Sequence, residues 1–93
     1  MRVKVFANLA EAAGEREITI DIESDTTIDA LLEAVFAEYP SLREEVLTDG
    51  ELRSHITMLL NGEKVGHDEH GLDRTISNDD EIALFPPVSG GSR

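Results

Sequence analysis

The chain has 93 residues and a mass of 10.2 kDa, and 40% of its residues are apolar, which predicts one small domain with a single core. Twenty Asp and Glu against eight Lys and Arg give a net charge of -12, so nucleic acids and anionic lipids would repel it. The chain contains no cysteine, which excludes disulfides, thiolate metal sites and a cysteine nucleophile. Neither a membrane span nor a signal peptide can be read, so we expect a cytoplasmic protein without membrane or nucleic-acid partners.

Two strands are predicted near the start of the chain. Residues 2–7 alternate, with Val3 and Val5 on one face, and residues 18–22 repeat this pattern with three isoleucines. The segment between them is too polar for a strand, and Gly14 suits a reversal. The pattern predicts a hairpin with a long irregular loop.

One helix is predicted between residues 28 and 39. Apolar side chains recur along it at helical spacing: Ile28, Leu31, Leu32, Val35, Phe36 and Tyr39. Thr27 is expected to cap its first turn, and Pro40 to end it. Residues 41–44 match a capping box, which predicts a short helical turn to about Leu47 before a turn at Asp49 and Gly50.

The remaining elements are strands. Residues 56–60 form a third strand, and Asn61-Gly62 predicts a tight hairpin that returns through residues 63–65. Leu72 and Ile76 are expected to anchor a short turn before a last strand over residues 81–85.

This order of elements favours an α+β fold, the ubiquitin-like β-grasp, with a mixed sheet of about five strands and one main helix packed on one face. A ferredoxin-like order would need a second full helix, and we keep it as a minor alternative. We expect the β-grasp domain over residues 1–85 and a flexible C-terminal tail over 86–93, which carries Gly-Gly.

The helix can cover only one face of the sheet. That face is expected to carry ten core residues: Val3, Val5, Ile18, Ile20, Ile22, Ile56, Met58, Leu60, Ile82 and Leu84. Alternation sends Phe6, Leu59 and Phe85 to the uncovered face, where they meet if the first, third and last strands are neighbours. An exposed apolar cluster of this kind is typical of a partner site, and an acidic rim would attract a basic partner. The alternative is that each of the three is a scattered surface residue or is covered by a loop.

Several segments resemble the sulfur-carrier and ubiquitin-like proteins of the MoaD/ThiS group, especially the small archaeal modifier proteins. The matching segments are Val-Phe-Ala-Asn-Leu-Ala-Glu (5–11), Thr-Ile-Asp-Ala-Leu-Leu (27–32), Asp-Gly-Glu-Leu (49–52), His-Ile (55–56), Leu-Asn-Gly (60–62), Asn-Asp-Asp-Glu-Ile (78–82) and Phe-Pro-Pro-Val-Ser-Gly-Gly (85–91). The ending is the most specific of these, because it directly follows the last strand. The tail motif consists of Pro86, Pro87, Val88, Ser89, Gly90 and Gly91.

The resemblance implies a substrate of other enzymes rather than a catalyst. An E1-like adenylating enzyme would use ATP to activate Gly91, while the chain itself would bind no cofactor. The activated end would then be joined to target lysines or become a thiocarboxylate that supplies sulfur to molybdopterin or to tRNA thiolation. The alternative is the small sulfur-donating subunit of a molybdopterin synthase, with the large subunit as its partner. The family's docking surface maps onto Phe6, Leu59 and Phe85.

Ser92 and Arg93 follow Gly91, so Gly91 has no free carboxylate as the sequence is written. Either a processing protease removes the two residues, or they are remnants of cloning. Lys4 and Lys64 are candidate acceptor amines if chains form. The His67-Asp68-Glu69-His70 segment is expected to be a solvated loop rather than a metal site, because no third ligand set accompanies it.

Overall fold

The computed structural model describes residues 1–23 and 25–87. In chain order the elements are β1 (Arg2–Val5), α1 (Asn8–Ala13), β2 (Glu17–Thr19), β3 (Thr26–Thr27), α2 (Ile28–Glu38), α3 (Pro40–Val46), β4 (Leu47–Thr48), β5 (Glu51–Leu52), β6 (Thr57–Leu60), β7 (Glu63–Val65), β8 (Thr75–Ile76) and β9 (Glu81–Phe85). None of the helices in this part of the chain has the length and apolar character needed to cross a bilayer.

Five strands form one mixed sheet in the order β2-β1-β9-β6-β7. The first and last strands, β1 and β9, run parallel, whereas every other neighbouring pair in this sheet is antiparallel. The expected adjacency of the first, last and third predicted strands is therefore confirmed. It places β9 at the centre of the sheet, with β1 and β6 on either side.

Helix α2 is the main helix, as predicted, and its apolar stripe supplies five buried residues to the core: Ile28, Leu31, Leu32, Val35 and Phe36. The Thr27 hydroxyl accepts a hydrogen bond from the Ala30 amide at 3.2 Å, which confirms the predicted cap. Two further amides of the first turn, at Ile28 and Asp29, donate to carbonyls of Arg74 and Leu72. Carbonyl groups of the segment that leads into β8 therefore accept hydrogen bonds from backbone amides that have no partner within α2 itself.

The capping box predicted at residues 41–44 is wrong. A cap at Ser41 would make Leu42 the first helical residue, but helix α3 begins two residues earlier, at Pro40, whose fixed φ and missing amide suit the first helical position. Its N-cap residue, Tyr39, makes no capping hydrogen bond through its side chain. The Ser41 hydroxyl instead donates to the Ala12 carbonyl at 3.3 Å and thereby links α3 to α1.

The loop predicted between β1 and β2 contains the helix α1. Leu9 is its one fully buried residue, and Gly14 ends it in the left-handed conformation, with φ 80°. The Gly14 amide donates to the Ala10 carbonyl at 2.8 Å, which satisfies a terminal carbonyl of the helix. The connection between β1 and β2 is thus ordered and contributes to the core.

Two tight hairpins form where the sequence predicts turns. Asn61 and Gly62 take φ values of 51° and 91° between β6 and β7, and Asp49 and Gly50 take 53° and 81° between β4 and β5. Positive φ at both central residues is the backbone of a type I′ turn, whose twist matches that of the flanking strands. The hairpin at Asn61 also sets the register of β7 on β6.

Eight of the ten predicted core residues are buried, and Ile22 and Leu60 are half-buried against the core. Ile22 lies beyond the last residue of β2, and Leu60 is the last residue of β6, so both sit at the margin of the sheet. The predicted anchors also pack inward, since Ile76 is buried and Leu72 is partly buried.

Candidate functional site

The face of the sheet opposite α2 carries the apolar cluster of Phe6, Leu59 and Phe85. Phe85 lies opposite Thr57, and Leu59 lies opposite Ala83, so the strands β9 and β6 present these side chains on one face. Phe6 directly follows β1, and its ring stacks on that of Phe85, with centroids 4.4 Å apart and planes inclined by 4°. The structure thus brings the three predicted docking residues onto one face.

The cluster is partly open to solvent. Phe6 is 39% exposed, and the other large apolar side chains within residues 1–23 and 25–87 are less exposed. Leu59 and Phe85 are half-buried. An apolar surface of this kind, stacked yet still accessible, is suited to a partner that removes it from water.

Basic side chains lie next to the cluster, although the net charge of -12 predicts an acidic rim. Lys4 pairs with Ala83 across β1 and β9, and Lys64 pairs with Leu59 across β7 and β6. Acidic side chains share this face, since Glu17 pairs with Lys4 across β2 and β1 and Glu81 pairs with Arg2 across β9 and β1, so the charges beside the cluster are of both signs. Net charge averages over the whole surface, whereas strand register decides which charges share a face. The register of a two-residue Asn-Gly turn would have placed Lys64 opposite Leu59 from sequence.

One carboxylate on this face is shared by two cations. Glu81 Oε1 lies 2.9 Å from Arg2 Nη2 and 3.7 Å from Lys4 Nζ. Lys64 is exposed on β7, at the edge of the sheet, and the described residues provide it no ion pair. The two lysines are therefore in different electrostatic settings on the same face.

The predicted tail leaves the sheet from the cluster itself. Phe85 is both the last residue of β9 and the stacking partner of Phe6. Pro86 is half-buried and Pro87 is exposed. The other residues assigned to the tail, Val88, Ser89, Gly90, Gly91, Ser92 and Arg93, lie outside the described residues.

Hydrogen bonds connect the β6–β7 turn, which follows the strand that carries Leu59, to the residues just before and at the start of β9. Asp80 accepts from Asn61 Nδ2 at 2.9 Å and from the Ser77 amide at 2.9 Å. These hydrogen bonds, that from Asn61 foremost, lower the pKa of the Asp80 carboxyl below its ordinary value. Asn61 also accepts from the Glu81 amide at 3.0 Å, so the turn is tied to the start of β9.

Two side chains of the loop from His67 to His70 make hydrogen bonds to other residues of the chain. His67 Nε2 lies 2.7 Å from the Ile56 carbonyl, and Arg74 donates to Asp68 at 2.7 Å. The hydrogen bond from Arg74 is the main cause of a lowered pKa at Asp68. No group of three or more side chains suited to a metal ion occurs within residues 1–23 and 25–87.

Comparison with known proteins gives one family model and several relatives that match over nearly the whole chain. The ThiS family model matches residues 3–91. The small archaeal modifier protein 1 of Haloferax volcanii is 44% identical over 92 residues, which cover 98% of this chain and 100% of that protein. A crystal structure of that modifier superposes with a TM-score of 0.85 at 43% identity and covers 98% of both chains. The molybdopterin synthase sulfur carrier subunit of Arabidopsis thaliana is 30% identical, over 98% of this chain and 82% of that protein.

Proposed function

The chain belongs to the ThiS family, and we propose on that basis that it is a ubiquitin-like protein modifier and/or sulfur carrier activated at Gly91. An E1-like enzyme that uses ATP would adenylate the Gly91 carboxylate. The activated end would then acylate a lysine amine of a target protein or be converted to a thiocarboxylate. In both reactions this chain is the substrate that is carried, and its proposed location is the cytoplasm.

The observation that carries the proposal is the meeting of the apolar cluster and the tail at Phe85. Phe85 packs in the cluster and is the last residue of the central strand, and Phe-Pro-Pro-Val-Ser-Gly-Gly begins at this same residue. The six residues 86–91 follow Phe85 and give a reach of at most about 22 Å, at up to about 3.6 Å each. An enzyme bound to the cluster would thus find Gly91 within the span of one active-site channel.

The chemistry of the tail fits activation by a separate enzyme. A carboxylate is a weak electrophile, so its transfer to an amine or to sulfur requires a leaving group, which adenylation supplies. Gly90 and Gly91 lack Cβ atoms, so a narrow channel can close around their backbone. A Gly91 carboxylate becomes available only when the Gly91–Ser92 peptide bond is hydrolysed, which makes a processing protease a further proposed partner.

Exchange of labelled pyrophosphate into ATP tests the activation step. We expect exchange when a chain ending at Gly91 is mixed with the adenylating enzyme of its own organism. A chain ending at Pro87 retains the cluster and lacks the diglycine, and we expect no exchange from it or from the chain that continues to Arg93. Absence of exchange with the chain ending at Gly91 would reject the proposal.

The two fates of the activated end leave different products. Arg74 is the last basic residue before Gly91, so trypsin would leave residues 75–91 attached to an acceptor lysine of a target. A sulfur carrier would instead show one sulfur-for-oxygen exchange at its free end. Mass spectrometry of cell extracts distinguishes these products. If deletion of Gly90 and Gly91 changed neither product nor phenotype, the chain would be a noncovalent interaction module.

A second candidate is the small subunit of a molybdopterin synthase, because a relative 30% identical carries that name. This function requires a stable complex with a large synthase subunit through Phe6, Leu59 and Phe85. We expect Phe85→Asp to abolish that complex, since the charge would replace the ring at the centre of the cluster. An intact complex would reject this surface as the subunit interface.

A further inference from the structure

Both lysines of the chain lie on the face that carries the apolar cluster. Lys4 is paired with Ala83, Ala83 with Leu59, and Leu59 with Lys64 across four adjacent strands. Directly paired residues project from the same face of a sheet, and their Cβ atoms are about 5 Å apart. The four side chains therefore form one row, in which Leu59 of the cluster is next to Lys64. We call this set, Lys4, Ala83, Leu59 and Lys64, the lysine row.

The two amines of the lysine row differ in access. Lys4 lies on β1, between β2 and β9, and its side chain is 39% exposed. Its Nζ is 3.7 Å from Glu81 Oε1, a carboxylate that also binds Arg2. Lys64 lies on the edge strand β7, is exposed, and has no ion pair among the residues that the structure describes. Lys64 is thus the amine that a bulky acylating group can approach from the side.

We propose that Lys64 is the amine through which one copy of this protein is joined to another, and that this modification and docking through the cluster exclude each other. The inference rests on the proposed function. Lys64 Nζ attacks the carbonyl carbon of the adenylated Gly91 of a second copy. An isopeptide C–N bond forms, the acyl–oxygen bond to AMP breaks, and the amine loses a proton to solvent.

The exclusion follows from the lysine row. Acylation turns the Lys64 cation into a neutral amide and attaches a folded domain, of radius of gyration 12.4 Å, beside Leu59. An enzyme that covers Leu59 would collide with that domain. In the opposite direction, a docked enzyme covers Lys64 and protects its amine. A copy modified at Lys64 is therefore withdrawn from further activation, which limits the growth of conjugates.

Amine acylation in the presence and absence of the adenylating enzyme tests the protection of Lys64. The chain ending at Gly91 is treated with the N-hydroxysuccinimide ester of acetic acid, and acetylation of each lysine is followed by mass spectrometry. With about nine-tenths of the chain bound, we expect Lys64 to react about tenfold more slowly, because only the unbound fraction is accessible. Equal rates at Lys64 with and without bound enzyme would overturn the inference.

A matched pair of conjugates tests the effect of modification on docking. The chain has no cysteine, so Lys64→Cys creates a single attachment point, which a bismaleimide joins to Gly91→Cys of a second copy. The second copy also carries Phe85→Asp, so that only the cluster of the first copy is available to the enzyme. Ala37→Cys is the control, because Ala37 is exposed on α2, on the opposite side of the sheet. We expect the Kd for the enzyme to rise at least about tenfold for the conjugate at position 64 and less than about twofold for that at position 37.

The outcomes separate this inference from the proposed function. If the unmodified chain ending at Gly91 gives no pyrophosphate exchange, the proposed function fails and the inference fails with it. If exchange occurs and the conjugate at position 64 binds as tightly as the conjugate at position 37, only the inference fails. Detection of residues 75–91 on Lys64 in cell extracts would support it, whereas self-conjugates joined solely through Lys4 would overturn the choice of amine.

Discussion

Truncation of Phe6 is expected to weaken docking while leaving the chain folded. The ring is already 39% exposed, so Phe6→Ala forfeits only about 1 to 2 kcal/mol of burial, from the about 1.5 to 3 kcal/mol of a fully buried ring. Loss of stacking on Phe85 adds about 1 kcal/mol. A chain of 93 residues has a free energy of unfolding of about 5 to 14 kcal/mol, which exceeds this loss.

Docking is expected to suffer more than folding. If Phe6 anchors the partner, its truncation costs about 2 to 4 kcal/mol of binding free energy, or an increase in Kd of about 30- to 700-fold. Titration calorimetry with the adenylating enzyme measures the Kd, and urea unfolding measures the stability of the same variant. Phe6→Leu keeps an apolar side chain and is expected to lose less than about tenfold. Unchanged affinity in folded Phe6→Ala protein would refute the assignment of the cluster as a docking surface.

Two further predictions concern stability. A Cβ at Gly66 would lie 2.6 Å from Leu52 Cδ2, and φ there is 97°, so Gly66→Ala should destabilise by about 2 to 4 kcal/mol in urea unfolding. Gly62→Ala, at φ 91° in open space, should cost about 1 kcal/mol; equal losses would contradict the predicted clash. The hydrogen bonds to Asp80 lower its folded pKa, so its carboxylate stabilises the fold above the ordinary pKa of about 4, and this contribution is lost as pH falls through the lowered value. Asp80→Asn should therefore destabilise at pH 7 and less so in acid, while the exposed Asp79→Asn should change little; a pH-independent difference between wild type and Asp80→Asn would refute this linkage.

The elements that could be predicted from sequence are those whose signal is local. The apolar stripe of α2 and its Thr27 cap, the alternation in β1 and the Asn61-Gly62 hairpin each lie within one short stretch of chain. Helix α1 was harder to predict, because an isolated helix of six residues is marginal and buries one large side chain, Leu9. The sequence features that favour this helix are its three alanines and Gly14, which is suited to the end of a helix.

The elements that the sequence pattern did not predict depend on contacts between residues far apart in the chain. The paired strands β3 and β8 have two residues each and join segments about fifty positions apart. Two residues are too few to show the alternation of apolar and polar side chains by which a strand is predicted. The start of α3 likewise depends on packing, since Ser41 bonds to Ala12 of another helix in place of its own first turn.

The same division holds for the candidate site. Alternation within each strand placed Phe6, Leu59 and Phe85 on the uncovered face, and the Asn61 turn determines that Lys64 is next to Leu59. The position of Lys4 in the lysine row required the parallel register of β1 on β9, which leaves no trace in a single sequence. The diglycine can be read from the sequence, but its proposed activation is carried out by a separate enzyme.

The most direct test of the account is the intact mass of the protein isolated from its own cells, together with the masses of its covalent adducts. Activation at Gly91 predicts chains that end at Gly91, either with one sulfur in place of oxygen or attached through Gly91 to lysines of other proteins. Cellular protein that always ends in unmodified Arg93, with no adduct at any lysine, would contradict the central claim.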